Sequence, residues 1–178
     1  MTDQFSFMIP KELSSPLFFP EQTFVWSETY NQKLSVKPIL LYELAHYSNI
    51  SAIKPWEDPI DNVPLIWQEW KQEKILLGEI FKKRNKSAKK ETIMGMTNSA
   101  GLLLEYLYWT NGQPVRLDEL SLINHLNVKP VNATERISFI LDRPNSFPSF
   151  IQLSELFAEQ EKQFEKAKAL KKLKSSQS

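Results

Sequence analysis

The chain has no cysteine, which removes disulfide frameworks, thiolate zinc sites and cysteine nucleophiles together and fits a reducing compartment. Glycine is nearly as scarce, at four residues in 178. Phosphate-cradling loops need closely spaced glycines, because the backbone must approach the anion and adopt positive φ. Gly95 and Gly101 follow neither the GxxxxGK[ST] nor the GxGxxG order. They sit inside a helical pattern, where a small-residue face that lets another helix pack closely competes with a ligand contact. Histidine occurs twice, as His46 and His125, so the HExxH zinc pattern is absent. No serine or threonine lies in a GxSxG-like elbow, and few imidazoles are there to serve as a base.

Charge of one sign is also missing. The 22 Lys and Arg against 21 Asp and Glu leave a formal net charge of +1, so any grip on nucleic acid or anionic lipid must come from a local patch. The richest apolar stretch, Leu102 to Trp109, is interrupted by Glu105 and falls short of the roughly 18 to 20 residues of a membrane helix. The opening MTDQFSFMIPKELSSPLFFP has no basic region followed by an unbroken apolar run and does not read as a secretory signal. A cytoplasmic protein without membrane contact is the expectation.

What the chain has is material for a core: 42% hydrophobic and 12% aromatic residues, enough for one domain. Residues 1–33 stand apart, with Pro10, Pro16 and Pro20 set among Phe5, Phe7, Phe18, Phe19, Phe24 and Trp26. Prolines at this density forbid a long helix, and the rings are too many for a disordered tail. An extended arm is expected, either wrapping its own core or docking on a partner. Residues 34–170 are expected to form a single helical domain, and 171–178 a frayed basic tail.

Within the domain, Pro38 to Tyr47 reads as a helix of about ten residues opened by proline. A turn through Lys54 to Asn62 follows, and Pro64 can open the next helix. There Val63, Ile66, Trp67, Trp70, Leu77, Ile80 and Phe81 recur at helical spacing. The stripe Ile93, Met96, Ala100, Leu103, Leu104 and Leu107 marks the central, most buried helix, antiparallel to the Val63–Phe81 helix before it. Asn111-Gly112 stops it with a left-handed residue. A short helix at Asp118 to Leu126, another from Arg136 to Leu141 after the capping-box-like Asn132-Ala-Thr-Glu135, and a last one from Phe150 complete the set. Only Pro114 to Leu117 looks extended. The fold class is all-α, a compact bundle of about five to six helices with an extended N-terminal arm.

Each chemical candidate has a plain alternative. Glu43 and His46 have the Glu-x-x-His spacing of carboxylate-bridged iron bundles, but no second copy exists and His125 lacks the motif. Glu57, Asp58 and Asp61 lie between prolines in a solvated turn without a calcium-loop pattern. No catalytic residue, cofactor site or metal site is assigned. Lys82, Lys83, Arg84, Lys86, Lys89 and Lys90 form a positive knob at the hairpin turn. It either contacts nucleic-acid or other anions or compensates the helix dipole as a solvated turn. The lysines at 166, 168, 171, 172 and 174 read as a solubilising end. Tyr108, Trp109 and Asn111 mark either a surface groove for a peptide or small ligand or core packing and a helix stop.

Trp67-x-x-Trp70, Ile75-Leu-Leu, Phe81-x-x-Arg84 and Tyr108-Trp-Thr-Asn-Gly-Gln-Pro-Val115 together resemble the YpoC-like proteins of Gram-positive bacilli, over about residues 35–160. The resemblance implies a cytoplasmic bacterial protein and carries over no functional residue. The leading expectation is a non-catalytic helical module with a protein partner. The alternatives are a nucleic-acid accessory protein using the basic turn, and a small-ligand-binding protein or enzyme.

Overall fold

A computed structural model describes residues 3–83 and 86–177. The described residues are mostly helical, as expected. The N-terminal arm, however, is a β-hairpin rather than a plain extended strip: β1 (Gln4–Met8) pairs antiparallel with β2 (Thr23–Ser27). The period-two signal is visible in hindsight. Phe5 faces Trp26 and Phe7 faces Phe24 across the ladder, with Ser6 and Val25 on the other face. The three prolines fall between the strands, where they interrupt no ladder bond. The arm wraps its own core, since Leu13 and Trp26 are completely buried.

Helix α1 (Leu41–Tyr47) is shorter than predicted. Leu40 takes φ of 60°, so helical geometry cannot begin until Leu41. Helix α2 (Pro59–Lys83) starts earlier than predicted, with Pro59 opening it and Pro64 inside. Pro64 is tolerated because it lies near the N-terminal end, where few intrahelical bonds are lost. Helix α3 (Lys89–Thr110) runs back along α2: Trp67 meets Tyr106 while Leu77 meets Gly95, the antiparallel hairpin expected from the pattern. Gly112 adopts φ of 71° and stops α3.

The expected short helix after Asp118 is a 3-10 turn, Leu120–His125. The piece before it forms no strand, and Leu117 donates its backbone N–H to Glu12 O of the arm at 2.8 Å. Helix α4 (Ala133–Asp142) forms, but Asn132 is left-handed and makes no side-chain cap. The capping box is therefore not used, and Thr134 bonds Asn124 instead. Helix α5 (Phe147–Ser176) is capped by Ser146 and continues through the lysine-rich stretch that was expected to fray; residues 169–177 are exposed.

The core lies where α5 crosses the hairpin. Trp70 and Phe157 stack at 4.2 Å and 8°, and Tyr106 touches Phe157 and Phe164. Arg136 clamps α4 to α5 through two 2.8 Å bonds to the Glu159 carboxylate, a fork geometry that guanidinium favours. The arm closes the remaining side of α3. A Cβ on Gly101 would stand 2.7 Å from Ile39 Cδ1, so this glycine admits the segment before α1, with Phe18 of the arm in ordinary contact at 3.5 Å. Gly95, 2.8 Å from Leu77 Cδ2 by the same measure, admits the neighbouring helix as expected.

Candidate functional site

Two carboxyl groups lie inside the core. Glu43 on α1 and Glu105 on α3 are both buried. Glu43 Oε1 accepts the indole N–H of Trp109 at 2.6 Å and the backbone N–H of Val115 at 3.3 Å. Glu105 Oε1 accepts the N–H of Leu40 at 2.5 Å. One carboxyl thus holds the turn after α3, and the other holds the left-handed residue that starts α1. Their second oxygens, Glu43 Oε2 and Glu105 Oε2, are buried with no hydrogen-bond partner among the described residues.

Burial drives the electrostatics of this pair. It pushes Glu43 up to about 7, against the pull of Trp109 and Val115. It pushes Glu105 well above the ordinary carboxylate range, helped by the charge of Glu43 and opposed by the Leu40 bond. Desolvation disfavours the charged form of each, and at Glu105 the charge of Glu43 acts in the same direction. The arrangement is chemically a buried acid pair that locks three chain segments. It does not gather metal ligands. His46 packs instead against Tyr47 and Trp56, at 5.0 and 5.2 Å, and His125 is exposed. Among the described residues no group of three or more His, Cys, Asp or Glu could hold a metal ion.

The groove expected at Tyr108, Trp109 and Asn111 is filled by protein. Tyr108 and Trp109 are buried, and Tyr42 packs edge-on against Trp109 at 6.3 Å. Asn111 donates to Leu107 O and Val128 O and accepts from the N–H groups of Asn127 and Val128. It pins the following loop to the helix end. Tyr108 and Trp109 are therefore core, while Asn111 is half-buried.

The basic turn is only partly in view. Lys82 and Lys83 end α2 and Lys89 and Lys90 begin α3, all exposed. Lys82 pairs with Glu79 at 3.1 Å, whereas Lys83, Lys89 and Lys90 make no ion pair among the described residues. Arg84 and the Lys86 side chain lie outside the described residues.

Two open grooves flank the place where the arm crosses α3. Phe18 and Pro20 separate them, and Asn98 lines both. The first, about 470 Å³, runs past Phe24, Ile39 and Leu102 and has Lys37 at its edge. That lysine is already paired with Glu69 at 2.7 Å and Glu73 at 2.9 Å. The second, about 640 Å³, is lined by Leu17, Ile93, Met94 and Thr97 and rimmed by Lys89 and Lys90. Neither groove was legible in the sequence, because each is made by residues some seventy positions apart. Glu105 did leave a signal: a lone carboxylate in the otherwise apolar stretch Leu102 to Trp109 is either buried with a partner or misplaced.

A family model described as YpoC-like protein matches residues 60–172, a span running from α2 through most of α5. The protein named Uncharacterized protein YpoC from Bacillus subtilis (strain 168) is 35% identical over 119 residues, which cover 65% of this chain and 70% of that protein. No solved structure matches.

Proposed function

The chain belongs to the YpoC-like family, and from that premise we propose that it is a cytoplasmic, non-catalytic helical module that works through a protein partner. One observation carries the reading. The strongly perturbed carboxyl groups are sealed in the core and bonded to its own backbone and indole groups, while the open surface beside the arm offers apolar grooves. Reactive groups are thus used internally, and what faces outward suits the covering of apolar area. No described helix is long and apolar enough to cross a membrane.

Deleting the arm is a poor test, because Leu13 and Trp26 belong to the buried interior and the truncated chain would unfold. The full chain should serve as bait in affinity capture from a bacillus lysate, beside surface variants whose circular dichroism matches wild type. Retention of one defined protein at fixed stoichiometry, lost in at least one folded variant, is the expected result. Retention of nothing specific by the folded bait overturns the reading.

A second reading draws on the exposed Lys83, Lys89 and Lys90. If they grip phosphate, anisotropy titrations with short RNA and DNA will show affinity that falls steeply with salt and disappears when these lysines become glutamine. Binding that is absent or independent of salt rejects it.

A further inference from the structure

The two grooves beside the arm have similar apolar linings but different electrostatics. At the first, Lys37 is neutralised by Glu69 and Glu73. At the second, Lys89 and Lys90 stand at the rim with no ion pair among the described residues. The second groove also leaves apolar surface uncovered: Met94 is 58% exposed on its wall. Thr97 on the same wall is buried, and its hydroxyl has no hydrogen-bond partner among the described residues. Lys90, Met94 and Thr97 succeed one another at helical spacing along α3, which forms one wall about two turns long. Leu17 and Phe18 of the arm form the other.

We propose that this second groove is the docking site for an acidic amphipathic helix of a partner protein, its apolar side chains on Leu17, Ile93 and Met94 and its carboxylates toward Lys89 and Lys90. The inference rests on the interaction-module reading and names the partner's chemistry. A groove walled by a helix and a strap suits helix-in-groove recognition, where side chains at i, i+3 and i+4 anchor the ligand. Charge complementarity selects an acidic ligand, steers its approach and fixes its register. A nucleic acid would use the lysines and leave the aliphatic floor uncovered. A single fatty acid would occupy the floor and leave much of Met94 wet.

The test titrates the full chain with fluorescent synthetic helices of about 20 residues, a length at which helix formation is workable. One carries a leucine stripe flanked by glutamate and one the same stripe flanked by lysine; a uridine oligonucleotide and oleate are run in parallel. The glutamate helix should bind with a Kd on the order of 1 μM, and the lysine helix should not. Met94→Glu, and separately the double change Lys89→Glu with Lys90→Glu, should each weaken binding at least tenfold. Val131→Glu, a substitution at an exposed residue that lines neither groove, should leave it unchanged. The proposal is overturned if the glutamate helix fails to saturate, if the lysine helix binds as well, if the groove variants bind like wild type, or if oligonucleotide or oleate binds more tightly. Lysate capture that survives both groove variants but is lost at another surface would sink this site and leave the module reading standing.

Discussion

Helix α3 has two halves that treat their polar groups in opposite ways. From Ser99 to Trp109 every residue is buried, and the polar groups there serve the core: Glu105 holds Leu40, Trp109 holds Glu43, and the Tyr106 hydroxyl bonds Glu161. From Lys89 to Asn98 the helix alternates between buried and open positions, with lysines unpaired among the described residues and a methionine on the surface. The contrast separates two kinds of anomaly. The groups with the largest electrostatic perturbation are structural, because burial itself perturbs them. Lys89 and Lys90, which make no ion pair among the described residues, border a groove instead of the core.

Trp109→Ala should produce the largest loss in this helix. It removes a fully buried ring and leaves Glu43 without its indole donor, so urea denaturation should show a loss of about 3–5 kcal/mol, and more if the acid pair cannot relax. Gly101→Val attacks the buried half near its start. Its branches would collide with Ile39 and Phe18, and overpacking of this kind costs about 1–3 kcal/mol; protease cleavage within residues 14–22 should become faster.

Glu43→Gln tests whether the acid pair is held in neutral form. A carboxyl raised on folding binds a proton that the unfolded chain releases, so the stability it contributes is complete below the ordinary glutamate value of 4.5 and is lost as pH rises through about 7. Wild type should therefore weaken across that window in urea titrations. Glutamine, which keeps an acceptor for Trp109, should flatten the slope, with a difference on the order of 1 kcal/mol on the alkaline side. Asp118 and Glu159, held low by Arg116 and Arg136, act in the opposite sense and only in more acidic solution.

The smallest effect belongs to the open half. Changing Lys89 and Lys90 together to glutamine should move stability by no more than about 0.5 kcal/mol. A larger loss in thermal melts would mean that these lysines serve the fold, and the division drawn through α3 would fail.

Legibility followed the range of the forces. The α2 and α3 stripes could be read because helical periodicity is carried by neighbours three and four positions apart. Gly112 could be read because positive φ is a local demand that glycine meets. Asn132 misled, because the side chain that could have capped α4 sits on a residue in left-handed geometry. Lys89 was visible as part of a basic turn, but not as the rim of a groove whose other side is Leu17.

By itself, then, the sequence determined the helical class, the central place of α3 and the absence of thiol or glycine-loop chemistry, since composition and short-range spacing suffice for those. Tertiary structure decided that Glu43 and Glu105 form one buried pair, that Trp109 is core rather than groove, and that Lys89 and Lys90 border an apolar cleft. Each of these joins residues far apart in the chain, and only packing brings such groups within the few ångströms over which burial and charge act.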